Sequence, residues 1–200
     1  IPVIDLNGYF NMATTHPMNV TGDNHAILEK ADLVLALDVR DMFGAVSKID
    51  RVARSTQSVL RKDAKVYSIG LQDYIVRSWT ADFQRLFPTE KTILADTKFA
   101  LPLLHELLQE AVAGAPQRAS LEQKIRERYG QAKEWHDRLR DQWLKTAKES
   151  RSQSPISSAA LALEMWEVLK GENFMLSNGS LSGWANKIFE LNEPRQTLGV

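Results

Sequence analysis

Four short runs of aliphatic residues, separated by stretches of helical character, limit what this chain can fold into more than any other feature. Pro2 to Leu6, Leu33 to Val39, Lys65 to Leu71 and Thr92 to Ala95 are each rich in Val, Ile or Leu, and each closes in a polar or glycine-bearing turn. Runs of this length suit strands buried on both faces, and helices between them suit a parallel sheet covered by those helices. An α/β fold is therefore predicted, a parallel sheet flanked by helices. Between the runs, Asn7 to Asp23 reads as a loop and about Asn24 to Lys30 as a short helix. Asp41 to Asp63, with Ile49, Val52, Ala53 and Leu60, suggests one or two amphipathic turns. From Phe99 to Val112, Leu101, Leu104, Leu107 and Leu108 recur on one face, which predicts a helix returning onto the sheet.

The pattern changes at Ala113-Gly114-Ala115-Pro116, after which Ser120-Leu121-Glu122-Gln123 reads as a capping box opening a long helix. Leu121, Ile125, Tyr129, Ala132, Trp135, Leu139 and Trp143 form its apolar stripe at steps of three or four, with charged residues on the other faces. Serines and Pro155 end it. Beyond lie a helix from Ile156 to Leu169, a strand from Asn173 to Ser177 and a helix from Gly183 to Leu191, an α/β half-unit without its remainder. This divides the chain into a central α/β domain (1–116), a connector helix and linker (117–154) and the beginning of a further, incomplete domain (155–200). Ile1 in the place of Met and the apolar Leu198-Gly199-Val200 are what a segment cut from a longer protein would present.

Charge and composition narrow the function. With 25 basic and 25 acidic side chains the formal charge is zero, so neither nucleic acid nor an anionic membrane is an expected partner. No apolar run reaches the ~20 residues of a membrane span. The absence of cysteine removes disulfides and thiolate chemistry and fits a cytoplasmic protein.

Several chemistries lack their signatures. The sequence has no glycine-rich dinucleotide fingerprint, no phosphate-loop lysine, no paired histidines at metal spacing and no serine elbow. His16, His25, His105 and His136 are scattered and read as solvent or helix-surface residues, with no metal ligand among them. Trp135, Trp143 and Trp166 read as core or interface anchors rather than a ligand cage.

Two segments stand out. One runs Thr14-Thr15-His16-Pro17-Met18-Asn19-Val20-Thr21-Gly22 and continues through Ala31-Asp32-Leu33-Val34-Leu35-Ala36-Leu37-Asp38-Val39-Arg40. The other is Leu176-Ser177-Asn178-Gly179-Ser180-Leu181-Ser182-Gly183-Trp184, followed by Pro194-Arg195. The first resembles the central domain of thiamine-diphosphate-dependent enzymes of the acetolactate synthase type, a Rossmann-like unit. There a His-Pro and glycine loop precedes an Ala-Asp-Leu-Val-Leu strand that commonly ends in Gly-x-Arg; Arg40 matches, while Asp38 stands where glycine is usual. The second is similar to the opening of the family's C-terminal, cofactor-binding domain. Ile93-Leu94-Ala95-Asp96-Thr97 resembles the close of the central domain, so the likeness spans nearly the whole chain.

The resemblance implies a segment of an enzyme that uses thiamine diphosphate and Mg2+ to decarboxylate or carboligate a 2-oxo acid, working as a homo-oligomer. Gly179, Ser180 and Leu181 fall on the positions that reach the cofactor's diphosphate, where a turn after a strand offers backbone N–H groups to an anion. The activating glutamate and the Gly-Asp-Gly motif that holds Mg2+ do not occur in these residues, so the segment by itself is expected to be inactive. Catalytic residues and metal ligands are accordingly not assigned. Central domains of the family sometimes hold a nucleotide in the crevice at the carboxyl ends of the strands, which His16, Asn19 and Arg40 would border. FAD is not expected, because the loop at Gly22 to Asn24 is short and Gly70 and Gln72 stand where flavin-binding relatives carry acidic residues. A different reading stays open: a stand-alone nucleotide-binding or interaction module on the same scaffold, without catalysis.

Overall fold

The structure, a computed structural model, describes residues 1–6, 10–71, 85–177 and 181–198. It separates into two compact units, one of residues 25–121 and one that joins residues 1–24 to 122–200.

The first unit is α/β, as predicted. Its sheet has the strands β1 (Leu33–Leu37), β4 (Lys65–Gly70) and β5 (Lys91–Leu94), in the order β1-β4-β5 and parallel throughout. Leu33 pairs with Lys65 and Leu37 with Ile69 across the first pair, and Tyr67 with Lys91 across the second. Ala36, Val66, Ile69 and Gly70 are its buried residues. The order runs one way across these three strands, so they form no switch point of the kind that opens a ligand crevice in a doubly wound sheet.

Between β1 and β4 the chain does not form the amphipathic turns suggested by its sequence. After a four-residue helix α2 (Met42–Ala45), β2 (Ser47–Asp50) and β3 (Ser55–Ser58) make an antiparallel hairpin. Asp50 decides the turn: its Oδ1 accepts from the backbone N–H groups of Val52 and Ala53 at 2.9 and 2.8 Å, a local bond that competes with helix. Val52 is left fully in solvent at the tip, while Val46 and Val59 are buried beside the strands.

Helix α3 (Thr97–Ala113) follows β5 and packs against β4. Asp96 starts it, its carboxylate accepting from Lys98 N at 2.8 Å. Its apolar face is less covered than the spacing predicts: Leu104 is half-buried, but Leu101, Leu107 and Leu108 remain exposed.

In the second unit, the expected first strand joins a different partner. Pro2 to Leu6 is not part of the parallel sheet; Val3 alone makes a parallel bridge, to Asn19, through Val3 N to Met18 O (2.7 Å) and Val20 N to Val3 O (3.0 Å). The loop that follows is tied to the far end of the chain. Thr14 N donates to Leu191 O at 2.9 Å, Thr14 Oγ1 donates to Phe189 O at 2.8 Å, and Leu191 N donates back to Thr14 Oγ1 at 2.9 Å. Arg140 reaches the carbonyls of Thr14 and Ile188, and burial holds its guanidinium below its ordinary value against the opposing pull of Glu190. These bonds, not sequence proximity, group residues 1–24 with 122–200.

The rest of this unit is helical. Helix α4 (Arg118–Glu149) begins two residues before the expected capping box, and Ser120 lies inside it. Helix α5 (Ser158–Leu169) is capped by Ser157, whose hydroxyl accepts from Ala160 N at 3.1 Å, and helix α6 (Ser182–Ile188) packs on it. Ala147 of α4, Ala159 and Ala162 of α5 and Ala185 of α6 share one buried cluster with Leu163, Ile188, Phe189 and Leu191. Phe189, wholly buried, stacks on Trp166 with centroids 5.2 Å apart and meets Phe174 edge-on at 6.0 Å. The strand expected from Asn173 to Ser177 is reduced to one parallel bridge, Leu176 to Thr197. No helix among the described residues is long and apolar enough to cross a membrane.

Candidate functional site

The unit formed by residues 1–24 and 122–200 has a partly open cavity of about 220 Å3. The N-terminal segment supplies Asp5, Phe10, Met12, Asn19 and Gly22; α4 supplies His136, Leu139 and Trp143; α6 supplies Asn186 and Lys187. Each element has a local reason to be there. Residues 132, 136, 139, 143 and 147 form one face of α4, and Ala132, His136, Leu139 and Ala147 are buried along it. Gly22 presses on the indole of Trp143 and sets the wall beside it.

His136 is 6% exposed, and its Nδ1 lies 2.6 Å from the backbone carbonyl of Asn19. A carbonyl only accepts, so Nδ1 carries a proton in this bond, and in the neutral tautomer the lone pair is then on Nε2. Nε2 has no hydrogen-bond partner among the described residues. Asp5 is half-buried; its Oδ1 accepts from Asn11 Nδ2 at 2.5 Å and its Oδ2 from Asn11 N at 3.1 Å. Burial nevertheless outweighs both bonds and raises the carboxyl above its ordinary value. Lys187 holds its ammonium over two indoles, 4.8 Å from the Trp184 centroid and 5.7 Å from that of Trp143.

The residues anticipated from sequence fall in different places. Gly179 and Ser180 lie outside the described residues; Leu181 stands at the turn ahead of α6, which has no side-chain cap there. Asn19 lines the cavity, yet its side chain is engaged by its own loop: Nδ2 donates to the carbonyls of Met12 and Ala13, and Oδ1 accepts from Thr21 N. His16 is exposed, and its Nδ1 accepts from Met18 N at 3.1 Å, closing its own turn. Arg40 belongs to the other unit, in the turn after β1.

Sequence reading placed His136 on the helix surface, and the structure buries it. The signal was present: Ala132, His136, Leu139, Trp143 and Ala147 step by four, three, four and four, a continuous helical face that a polar residue interrupts only in composition. Asp5 and Lys187 gave no such signal, because their lining of one cavity depends on a chain-end contact spanning most of the sequence. Among the described residues no group of three or more His, Asp or Glu side chains is arranged to hold a metal ion. No family model and no curated protein matches the sequence.

Proposed function

We propose that this chain is a segment of a cytoplasmic, homo-oligomeric enzyme that uses thiamine diphosphate and Mg2+ to decarboxylate or carboligate a 2-oxo acid. The observation that carries the reading is the backbone of Asp38, at the end of β1. Its φ is +49°, in the left-handed region that glycine enters freely and Asp only at some cost. The resemblance to the acetolactate synthase type has a glycine at this position, and the conformation gives that glycine a physical reason. Asp38 is stabilised locally: its Oδ2 accepts from Thr97 Oγ1 at 2.5 Å and its backbone N–H donates to Ile69 O at 3.0 Å.

The parallel order of β1, β4 and β5, with α3 after the last strand, agrees with the layout expected of the family's central domain. In this reading, backbone N–H groups around Gly179, Ser180 and Leu181 meet the diphosphate, and the cofactor supplies the centre that stabilises a carbanion next to the substrate carbonyl. The resemblance implies that Mg2+ is held by a Gly-Asp-Gly motif, which does not occur in this sequence. It includes no flavin and no nucleotide held jointly by His16, Asn19 and Arg40.

Equilibrium dialysis of the natural protein that carries this sequence tests the proposal. Thiamine diphosphate is expected to be retained in the presence of Mg2+, released by EDTA, and weakened by Gly179→Glu. Failure to retain the cofactor with Mg2+ present overturns it.

A further inference from the structure

The cavity has a charge pattern that the thiamine diphosphate reading does not use. Of the residues that line it, Asp5 and Lys187 bear the formal charges, one negative and one positive. Neither makes an ion pair with a described residue: Asp5 is held by the neutral Asn11, and Lys187 lies on the faces of Trp143 and Trp184. A half-buried carboxylate keeps lone pairs beyond the two that Asn11 fills, and an ammonium on two indoles keeps its N–H donors for an anion. A further polar group is His136, whose Nε2 has no partner among the described residues while Nδ1 bonds Asn19 O. An acceptor on a cavity wall can be satisfied by water or by a donor on a ligand. Phe10, Met12, Leu139, Trp143 and Leu191 give the cavity an apolar patch, beside the neutral polar residues Thr14, Asn19, Thr21, Asn24, Asn186 and Thr197.

From these groups we infer that the cavity binds a small zwitterion, an α-amino acid with an apolar side chain. Its ammonium has three donors to share between the Asp5 carboxylate and His136 Nε2. Its carboxylate takes Lys187, and its side chain covers the apolar patch. An isolated anion would face Asp5, and an isolated cation would face Lys187; a molecule carrying both charges meets an opposite charge at each end. The volume, about 220 Å3, is below the roughly 300–1,000 Å3 of sites for drug-sized ligands and suits a molecule of this size. The inference does not rest on the proposed enzymatic function.

L-leucine is the probe. Titrated into the protein, it is expected to give saturable changes in tryptophan fluorescence and in the NMR signals of His136 and Lys187. Isocaproate lacks the ammonium and isoamylamine lacks the carboxylate; each should bind about tenfold more weakly or worse. Asp5→Asn should weaken L-leucine by about tenfold without weakening isocaproate, and Lys187→Met should weaken L-leucine without weakening isoamylamine. The analogue comparison uses the unaltered protein, so it decides the matter even where a variant fails to fold. No saturable response at His136 or Lys187, or analogues that bind as well as L-leucine, would overturn the inference.

Discussion

Gly22 and Trp143 are in direct contact: a Cβ on the glycine would lie 2.5 Å from Cζ2 of the indole. Gly22 also has a φ of +117°, which side-chain-bearing residues rarely adopt. Gly22→Ala is therefore expected to destabilise the protein by about 2 kcal/mol or more, through overpacking and backbone strain together. Urea unfolding measures this, and an unchanged midpoint would show that the contact is absent.

Phe189 lies at the centre of the helical core, between Trp166 and Phe174. Phe189→Ala removes a wholly buried ring and is expected to cost about 3–5 kcal/mol. Phe99, 71% exposed on α3, offers the contrast: Phe99→Ala should stay within about 0.5 kcal/mol of the parent. Denaturation of the two variants side by side separates core from surface in a way that composition does not.

Asp38 is expected to respond to its backbone more than to its charge. Asp38→Ala and Asp38→Gly both lose the bond from Thr97, but only alanine keeps a Cβ in the left-handed region. The alanine variant should be less stable than the glycine variant by about 1 kcal/mol, read from thermal or urea unfolding. Equal stabilities would remove the physical reason for a glycine at this position in the family that the chain resembles.

The contrast between Asp38 and Asp5 shows what the sequence made legible. The strand ending at Leu37 was readable because an uninterrupted aliphatic run has few other fates, and α3, α4 and α5 were readable as helical segments; the caps were not, since Ser120 lies inside α4 and Ser157, expected inside a helix from Ile156, caps α5. The hairpin of β2 and β3 was not, because its turn rests on the Asp50 side chain while its strands, Ser-Lys-Ile-Asp and Ser-Thr-Gln-Ser, carry almost no apolar pattern. The segment from Pro2 to Leu6 was aliphatic enough for a strand, but Val3 pairs with Asn19 rather than joining the sheet, a choice made by the Thr14 and Arg140 bonds to residues 188–191. The cavity depends on those same long-range bonds. Of its polar groups, Asn19 alone was singled out from sequence, and for a different site.

Asp5 gives the stability a pH dependence whose sign follows from its burial. Folding raises its pKa above the ordinary value, despite the two bonds from Asn11, so the folded state favours the protonated form. The stabilisation from that proton is fully present below the ordinary carboxylate range and is lost as pH rises through the raised value. Asp5→Asn is always neutral, so its stability relative to the parent should be greater at about pH 7 than at about pH 3. Thermal unfolding of both proteins at the two pH values isolates the effect, because other carboxylates titrate in each alike. A difference that does not change with pH would contradict the burial of Asp5.

Turnover is the most direct test of the proposed enzyme. The natural protein carrying this sequence, supplied with pyruvate or a longer 2-oxo acid, is expected to release CO2 only when both thiamine diphosphate and Mg2+ are present. Release that is indifferent to the cofactor, or no consumption of any 2-oxo acid by the cofactor-loaded protein, would contradict the account.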